Sequence, residues 1–167
     1  MCIRDRLLTY VYPINAFAHG LDQDVRPDYL PRQVAYASAK FGFNTRTTAT
    51  ASFAQGHQTI ASGQYSHAEG YQTSTSGSWS HTEGESTQAS GSYSHAEGSV
   101  TRTVGDASHA EGRLAVATGA YSHAEGESTE AIGIASHAEG ASTTTPGAYS
   151  HAEGYQTVAS ASYSHAE

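Results

Sequence analysis

The feature that most constrains this chain is a histidine that returns every fourteen residues. It occurs without a slip at His67, His81, His95, His109, His123, His137, His151 and His165. Written from the serine before it, the unit is S-H-A-E-G-x-x-T-x-[AT]-x-G-x-[YWA]. A fixed period of this kind indicates a repeat architecture in which each unit packs against the next.

The slots of the unit drift unequally between copies. The glutamate slot is identical from Glu69 to Glu167, whereas one later slot holds Ser74, Gln88 and Arg102 in successive copies. Recent duplication of a disordered tract would preserve every slot about equally. Unequal drift therefore indicates that folded geometry holds some slots constant.

The repeats cannot build a conventional apolar core. From Ser52 onward, the chain contains only nine residues from Leu, Ile, Val and Phe. Such a composition is normally typical of disorder, because too little apolar surface is available to offset chain entropy. The repeats must therefore fold by another arrangement, and stacked coils provide one.

Each unit contains two stretches of period two, S-H-A-E and T-x-A-x, each followed by glycine. Two strands of about five residues and two short turns fill fourteen residues, so one unit predicts one coil of a parallel β-solenoid. Alternation places Ser66 and Ala68 inside, with His67 and Glu69 outside. Thr73 and its copies are also expected inside, with hydroxyls bonding their equivalents one coil away.

Glycine is the usual residue where a tight turn needs positive φ. Two glycine slots per unit are therefore predicted to form the turns. They are Gly70, Gly77, Gly84, Gly91, Gly98, Gly105, Gly112, Gly119, Gly126, Gly133, Gly140, Gly147 and Gly154.

The constant outward face predicts an interface with something equally periodic, and a sister chain is the simplest such partner. A histidine of one chain would donate to a glutamate of its neighbour. The predicted ladder comprises His67, Glu69, His81, Glu83, His95, Glu97, His109, Glu111, His123, Glu125, His137, Glu139, His151 and Glu153. Exposed side chains, or capture of a metal ion or anion near a threefold axis, remain as alternatives.

A second periodic slot lies at a coil corner and is mostly aromatic. Its aromatic members are Tyr65, Trp79, Tyr93, Tyr121, Tyr149 and Tyr163. Rings one coil apart can stack, so the slot predicts a structural ladder, with a carbohydrate-binding stripe as the alternative.

Several function classes do not fit. Between Ser52 and Glu167 only Arg102 and Arg113 are basic, against twelve acidic residues, and the whole chain has a formal charge of −8. Neither nucleic acid nor an anionic membrane is therefore an expected partner. Adjacent Ser66 and His67 point to opposite faces, so no catalytic residue is predicted, and no resident metal or cofactor is predicted either.

The pattern S-x-A-x-G-x-x-[AT]-x-A-x-G resembles the head repeat of YadA-type trimeric autotransporter adhesins, of the haemagglutinin/invasin class. The pentapeptide SHAEG is similar to repeats of phage tail fibre and tailspike proteins. The resemblance implies a left-handed parallel β-roll in a homotrimer that meets a host-cell receptor or matrix. It also implies a location on a virion tail or a bacterial cell surface. Adhesin heads usually carry aliphatic residues where this chain has His67 and Glu69, so a polar seam is expected instead.

Four regions are expected along the chain. Residues 1–6 match the translation of a transposon adaptor used in sequencing libraries and are interpreted as an artefact, and residues 7–37 as an irregular lead-in or the end of an upstream domain. Residues 38–51 form a degenerate first coil, and residues 52–167 form the β-roll, truncated within its last repeat.

The expected function is therefore non-enzymatic, structural and adhesive. Attachment by a phage fibre is the first candidate and the head of a bacterial adhesin is the second. An ice-binding or metal-binding β-solenoid is a remote alternative, because Thr-x-Thr arrays on flat solenoids can bind ice.

Overall fold

The structure is a computed structural model that describes residues 38–167. The fold class predicted from the period is confirmed, because these residues form an all-β solenoid of about nine turns with parallel strands about fourteen residues apart. No residue of this range lies in a helix, and hence no helix here is long and apolar enough to cross a bilayer. The predictions for residues 1–6 and 7–37 lie outside the described residues.

Two parallel sheets run along the solenoid. The first contains β1 (Ala39–Phe43), β3 (Phe53–His57), β5 (His67–Tyr71), β7 (His81–Glu85), β9 (His95–Ser99), β11 (His109–Arg113), β13 (His123–Glu127), β15 (His137–Ala141), β17 (His151–Ala152) and β18 (His165–Ala166). The second contains β2 (Arg46–Thr47), β4 (Ile60–Ala61), β6 (Ser74–Thr75), β8 (Gln88–Ala89), β10 (Arg102–Thr103), β12 (Val116–Ala117), β14 (Glu130–Ala131) and β16 (Thr144–Thr145). Residues 38–51 contribute β1 and β2, the first coil of the stack.

The strands pair in a register that equals the sequence period. Along β11 and β13, His109 lies opposite His123 and Glu111 opposite Glu125. A parallel ladder with this register places every residue beside its equivalent in the next copy, ~4.8 Å away. A constant slot of the sequence thus becomes a column of like side chains.

The interior is built from alanine, threonine and serine. Ala68, Ala96 and Thr75 are 0% exposed, and Ser66 is 1% exposed. Large aliphatic side chains lie on the outside instead, including Leu114 and Ile132. The predicted alternation is confirmed, because small residues face inward while histidine and glutamate face outward.

The predicted bonding of inner hydroxyls to their equivalents one coil away is wrong. The Thr73 hydroxyl has no hydrogen-bond partner within residues 38–167. The Ser66 hydroxyl donates at 2.7 Å to the carbonyl of Gly63, three residues earlier in the chain, and not to a serine one coil away. The equivalent bond recurs at 2.5–2.8 Å in Ser52, Ser80, Ser94, Ser108, Ser122, Ser136, Ser150 and Ser164. The repeated serine therefore ties down the turn that leads into each long strand.

The predicted strand lengths and glycine roles need correction. The second strand has two residues, not about five, and the first strand continues through its glycine. Gly70 lies in β5 with φ +109, and a Cβ there would fall 2.1 Å from the Gly84 carbonyl oxygen. Gly77 opens a turn without positive φ, and its Cβ would fall 1.9 Å from the Gly91 oxygen. The Gly77 slot is thus glycine because successive coils approach too closely for a side chain, whereas the Gly70 slot combines the same close approach with a positive φ.

Non-glycine residues occupy the left-handed positions of the turns. Gln72 has φ 56° and Trp79 has φ 54°, and their equivalents in other coils share this conformation. The glycine pattern therefore identified where the backbone is constrained, but not which residues reverse its direction.

Candidate functional site

The most regular surface feature is a column of eight imidazoles, one at the start of each SHAEG strand. Neighbouring rings are stacked, with centroids 4.7–4.9 Å apart and interplanar angles of 4–24°. Phe53 fills the same slot one coil before His67, and its ring meets that imidazole edge to face at 4.8 Å. The column follows directly from the in-register pairing of parallel strands.

A column of carboxylates runs beside the imidazoles. In each SHAEG copy the glutamate Oε lies 3.4–3.9 Å from the Nε2 of the histidine two residues earlier. Glu139 also lies 3.9 Å from Nε2 of His151 in the next coil. These distances exceed the usual 2.7–3.2 Å of an N–H···O hydrogen bond. The two columns therefore lie side by side without a hydrogen bond between Nε2 and the carboxylate.

The structure thus brings the predicted ladder residues together within one chain. Side chains of the ladder are about a third exposed, for example 35% for His95 and 38% for Glu97. The Nε2 atoms themselves are buried and have no hydrogen-bond partner within residues 38–167 in His67, His81, His95, His109, His123, His137 and His151. The face is therefore neither freely solvated nor satisfied by its own chain.

Burial lowers the pKa of His81, His95 and His123 below the usual value of 6.5, and positive charge on neighbouring imidazoles lowers it further. Nearby carboxylates oppose both effects. Around His81 the titratable groups are His67, His95, Glu69 and Glu83. Around His95 they are His109, Glu83, Glu97 and Glu111. Around His123 they are His109, His137, Glu111 and Glu125. Neutral imidazole is thus favoured at these three positions.

Serine and histidine of the repeat do not meet. The Ser66 hydroxyl is buried and donates to Gly63, whereas His67 points outward. A nucleophile needs a base within about 2.6–3.2 Å, so this adjacent pair cannot form a serine–histidine site.

The aromatic slot forms a ladder with interruptions. Tyr65, Trp79 and Tyr93 stack at 5.4 and 5.1 Å, and Tyr149 stacks on Tyr163 at 5.2 Å. Tyr121 lies between two coils that carry alanine in this slot and is 70% exposed. Stacked rings cover each other's faces, which are the surfaces that sugars use. The structural interpretation therefore accounts for the stacked members better than the carbohydrate stripe does.

The sequence analysis did not predict a further column, in which aromatic and charged side chains occupy the same slot of successive coils. Phe43, His57 and Tyr71 stack at 5.2 and 5.1 Å in the slot that ends the long strand. Farther along the same slot, Arg113 pairs with Glu127 one coil away. The fourteen-residue spacing of these residues was the available signal, but the slot varies too much in chemistry to attract attention.

Threonine positions bear on the ice-binding alternative. Thr73, Thr101 and Thr143 are at most 1% exposed, and Thr75 and Thr145 are fully buried. An ice-binding array needs its threonines on a flat exposed surface, so these pairs do not provide one.

No family model and no curated protein matches this chain. The likeness to adhesin and tail fibre repeats thus rests on the repeat motif.

Proposed function

We propose that this chain is a structural and adhesive segment of a homotrimeric surface fibre, without enzymatic activity. The solenoid supplies the rod, its constant histidine and glutamate face packs against sister chains, and its drifting slots face outward. Attachment of a phage tail fibre or tailspike to a host-cell receptor is the function this arrangement supports best. The fibre would then belong to a virion tail.

One observation carries the proposal. The only outward slots held constant through eight copies, histidine and glutamate, form two continuous columns whose Nε2 atoms are buried yet unpartnered within the described chain. Buried polar atoms are normally satisfied, so a polar covering surface with the same ~4.8 Å repeat is the natural complement. A sister chain has that repeat.

Energetics support association. The core consists of alanine, threonine and serine side chains, which bury little apolar area per residue. A narrow structure of this kind gains stability when a second surface covers it. Three such rods side by side would each bury one face and leave the variable flank free for a receptor.

The direct experiment is to measure mass in solution by light scattering. We expect three times the chain mass of 17.5 kDa. A variant in which His109, Glu111, His123 and Glu125 are all replaced by alanine should have a measured mass closer to that of the monomer. A matched control replaces Glu130, which is exposed on the second sheet, and should leave the mass unchanged. A well-folded monomer of the unaltered chain would refute the sister-chain arrangement.

The second candidate, the head of a bacterial trimeric autotransporter adhesin, is favoured by the S-x-A-x-G pattern itself. Neighbouring genes distinguish the two: baseplate and holin genes accompany a phage fibre, whereas an adhesin continues into a C-terminal membrane barrel. Turnover of an ester or glycan by the purified repeats would contradict the non-enzymatic proposal.

A further inference from the structure

The columns of histidine and glutamate contain five overlapping groups of potential metal ligands. They are His95–Glu97–His109, His109–Glu111–His123, His123–Glu125–His137, His137–Glu139–His151 and His151–Glu153–His165. Within each group the ligand atoms lie within 4.8 Å of one another. We propose that these groups bind divalent transition-metal ions of the zinc class, each ion held by two imidazoles of successive coils and the carboxylate between them.

The ligand set and its spacing fit such an ion. Imidazole nitrogen and carboxylate oxygen both bind Zn²⁺ at ~2.0–2.2 Å, and a tetrahedron with such bonds has edges of about 3.3–3.6 Å. Nε2 of His137 already lies 3.5 Å from Oε2 of Glu139. The second imidazole, that of His151, lies 3.9 Å from the same oxygen. The two Nε2 atoms lie within 4.8 Å of each other on nearly parallel stacked rings. The imidazoles must therefore tilt toward each other until the nitrogens are about 3.3–3.6 Å apart before they can hold one ion.

The nitrogens are available for coordination. The Nε2 atoms of His95, His109, His123, His137 and His151 are buried without a hydrogen-bond partner in residues 38–167. A neutral imidazole whose proton is on Nδ1 presents a lone pair at Nε2. Coordination would therefore satisfy atoms that the fold leaves unpaired.

Sharing of ligands sets the stoichiometry. Each interior histidine belongs to two groups, and one nitrogen lone pair can bind one ion. Filling alternate groups therefore allows at most three ions in these five groups. Alternate groups lie two coils apart, about 9.6 Å, which limits repulsion between dications. Two coils also supply two carboxylates, which balance the charge of one ion.

All ligands of a group come from one chain, so the inference does not depend on trimer formation. The test is calorimetric titration of ZnCl₂ into chelator-stripped protein without a polyhistidine tag. We expect saturation at three ions per chain and a rise in melting temperature. Absorption bands of tetrahedral Co²⁺ would identify the geometry.

Substitutions already present in the repeat provide the variants. Phe53 occupies the histidine slot, so His109→Phe combined with His137→Phe keeps an aromatic column but leaves only the group from His151 to His165. Binding should fall from three ions to one. The matched control is His57→Phe, which makes the same change in the neighbouring column, between Phe43 and Tyr71, and should retain three ions.

Carboxylate variants test the same groups without disturbing the rings. Gln55 occupies the glutamate slot, so the fold accommodates an amide there. The combined variant is Glu97→Gln, Glu111→Gln, Glu125→Gln, Glu139→Gln and Glu153→Gln. Its Zn²⁺ affinity should fall by about tenfold or more, since even an outer-shell partner contributes that much. No measurable binding by the unaltered chain, or three ions retained by the double phenylalanine variant, would overturn the inference.

Discussion

The serine of each SHAEG copy lies inside the solenoid, and its hydroxyl closes the turn before the strand. Ser122, for example, donates to the Gly119 carbonyl at 2.6 Å while its backbone N–H reaches the same oxygen at 3.3 Å. An alanine would fit the interior by size, since it is smaller than serine. The hydroxyl bond to the turn explains why this slot holds serine.

Removing that hydroxyl should cost measurable stability. We expect Ser122→Ala to lower the free energy of unfolding by about 1 kcal/mol, the net value of one hydrogen bond. The control Ser90→Ala changes an exposed serine and should have little effect. Urea melts of both variants provide the measurement, and equal midpoints would contradict the role given to Ser122.

The glycine that follows glutamate in each SHAEG unit permits a test that separates backbone strain from steric collision with the next coil. Gly112 has φ +104, and its added Cβ would fall 2.3 Å from the Gly126 oxygen. Gly154, in the last coil of the described stack, has a similar φ of +99. No glycine fourteen residues later covers it in this chain, so the nearest heavy atom to its added Cβ is at 3.7 Å. Alanine at Gly154 should therefore cost about 1–2 kcal/mol from conformation alone.

Alanine at Gly112 should cost considerably more, because the strand must also move away from the next coil. Thermal unfolding of the two variants, compared with the unaltered chain, measures the difference. Similar melting temperatures would mean that φ alone, and not the close approach of coils, holds glycine in this slot.

At the scale of the element, the aromatic ladder is interrupted where alanine replaces a ring. Ala107 has φ 53°, close to the φ of 60° at Tyr93 and Tyr121, so a tyrosine fits its backbone. Ala107→Tyr should stack on both neighbours and stabilise the fold by about 0.5–1.5 kcal/mol per pair. The gain, measured by thermal unfolding, should vanish when Tyr93 and Tyr121 are both alanine. A gain that persists there would assign it to something other than stacking.

The strand alternation was predictable because it depends only on period and side-chain size. Ser66 and Ala68 had to face inward in so narrow a coil, and they do. The role of Gly70 was not predictable, since a sequence reveals that a side chain is excluded but not what excludes it. The close contact between the His67 and Glu69 side chains was also not predictable, because residues two apart are separated by ~6.5–7 Å along a strand. The orientation of the two side chains brings Nε2 of His67 to 3.4 Å from Oε2 of Glu69.

At the scale of the whole molecule, stability accumulates along the stack, since each coil contacts only its neighbours. A small cost repeated in many coils therefore becomes a large one. The imidazole column provides such a repeated cost. When His81, His95 or His123 is protonated, its charge is partly removed from water and lies close to neighbouring imidazoles that can carry the same charge.

Acidification should consequently destabilise the solenoid. The pKa of His81, His95 and His123 is lowered in the folded state, so below about pH 6.5 the unfolded chain takes up protons that the folded chain does not. The stability that depends on the neutral imidazoles is fully present above that pH and is lost as the pH falls toward the lowered pKa values. The melting temperature, measured in EDTA to exclude metal, should fall from pH 8 to pH 5. Replacing these three histidines by phenylalanine, the residue found at Phe53, should make the melting temperature less dependent on pH. If the melting temperature of the unaltered chain stays constant or rises in acid, protonation of these histidines does not destabilise the folded state.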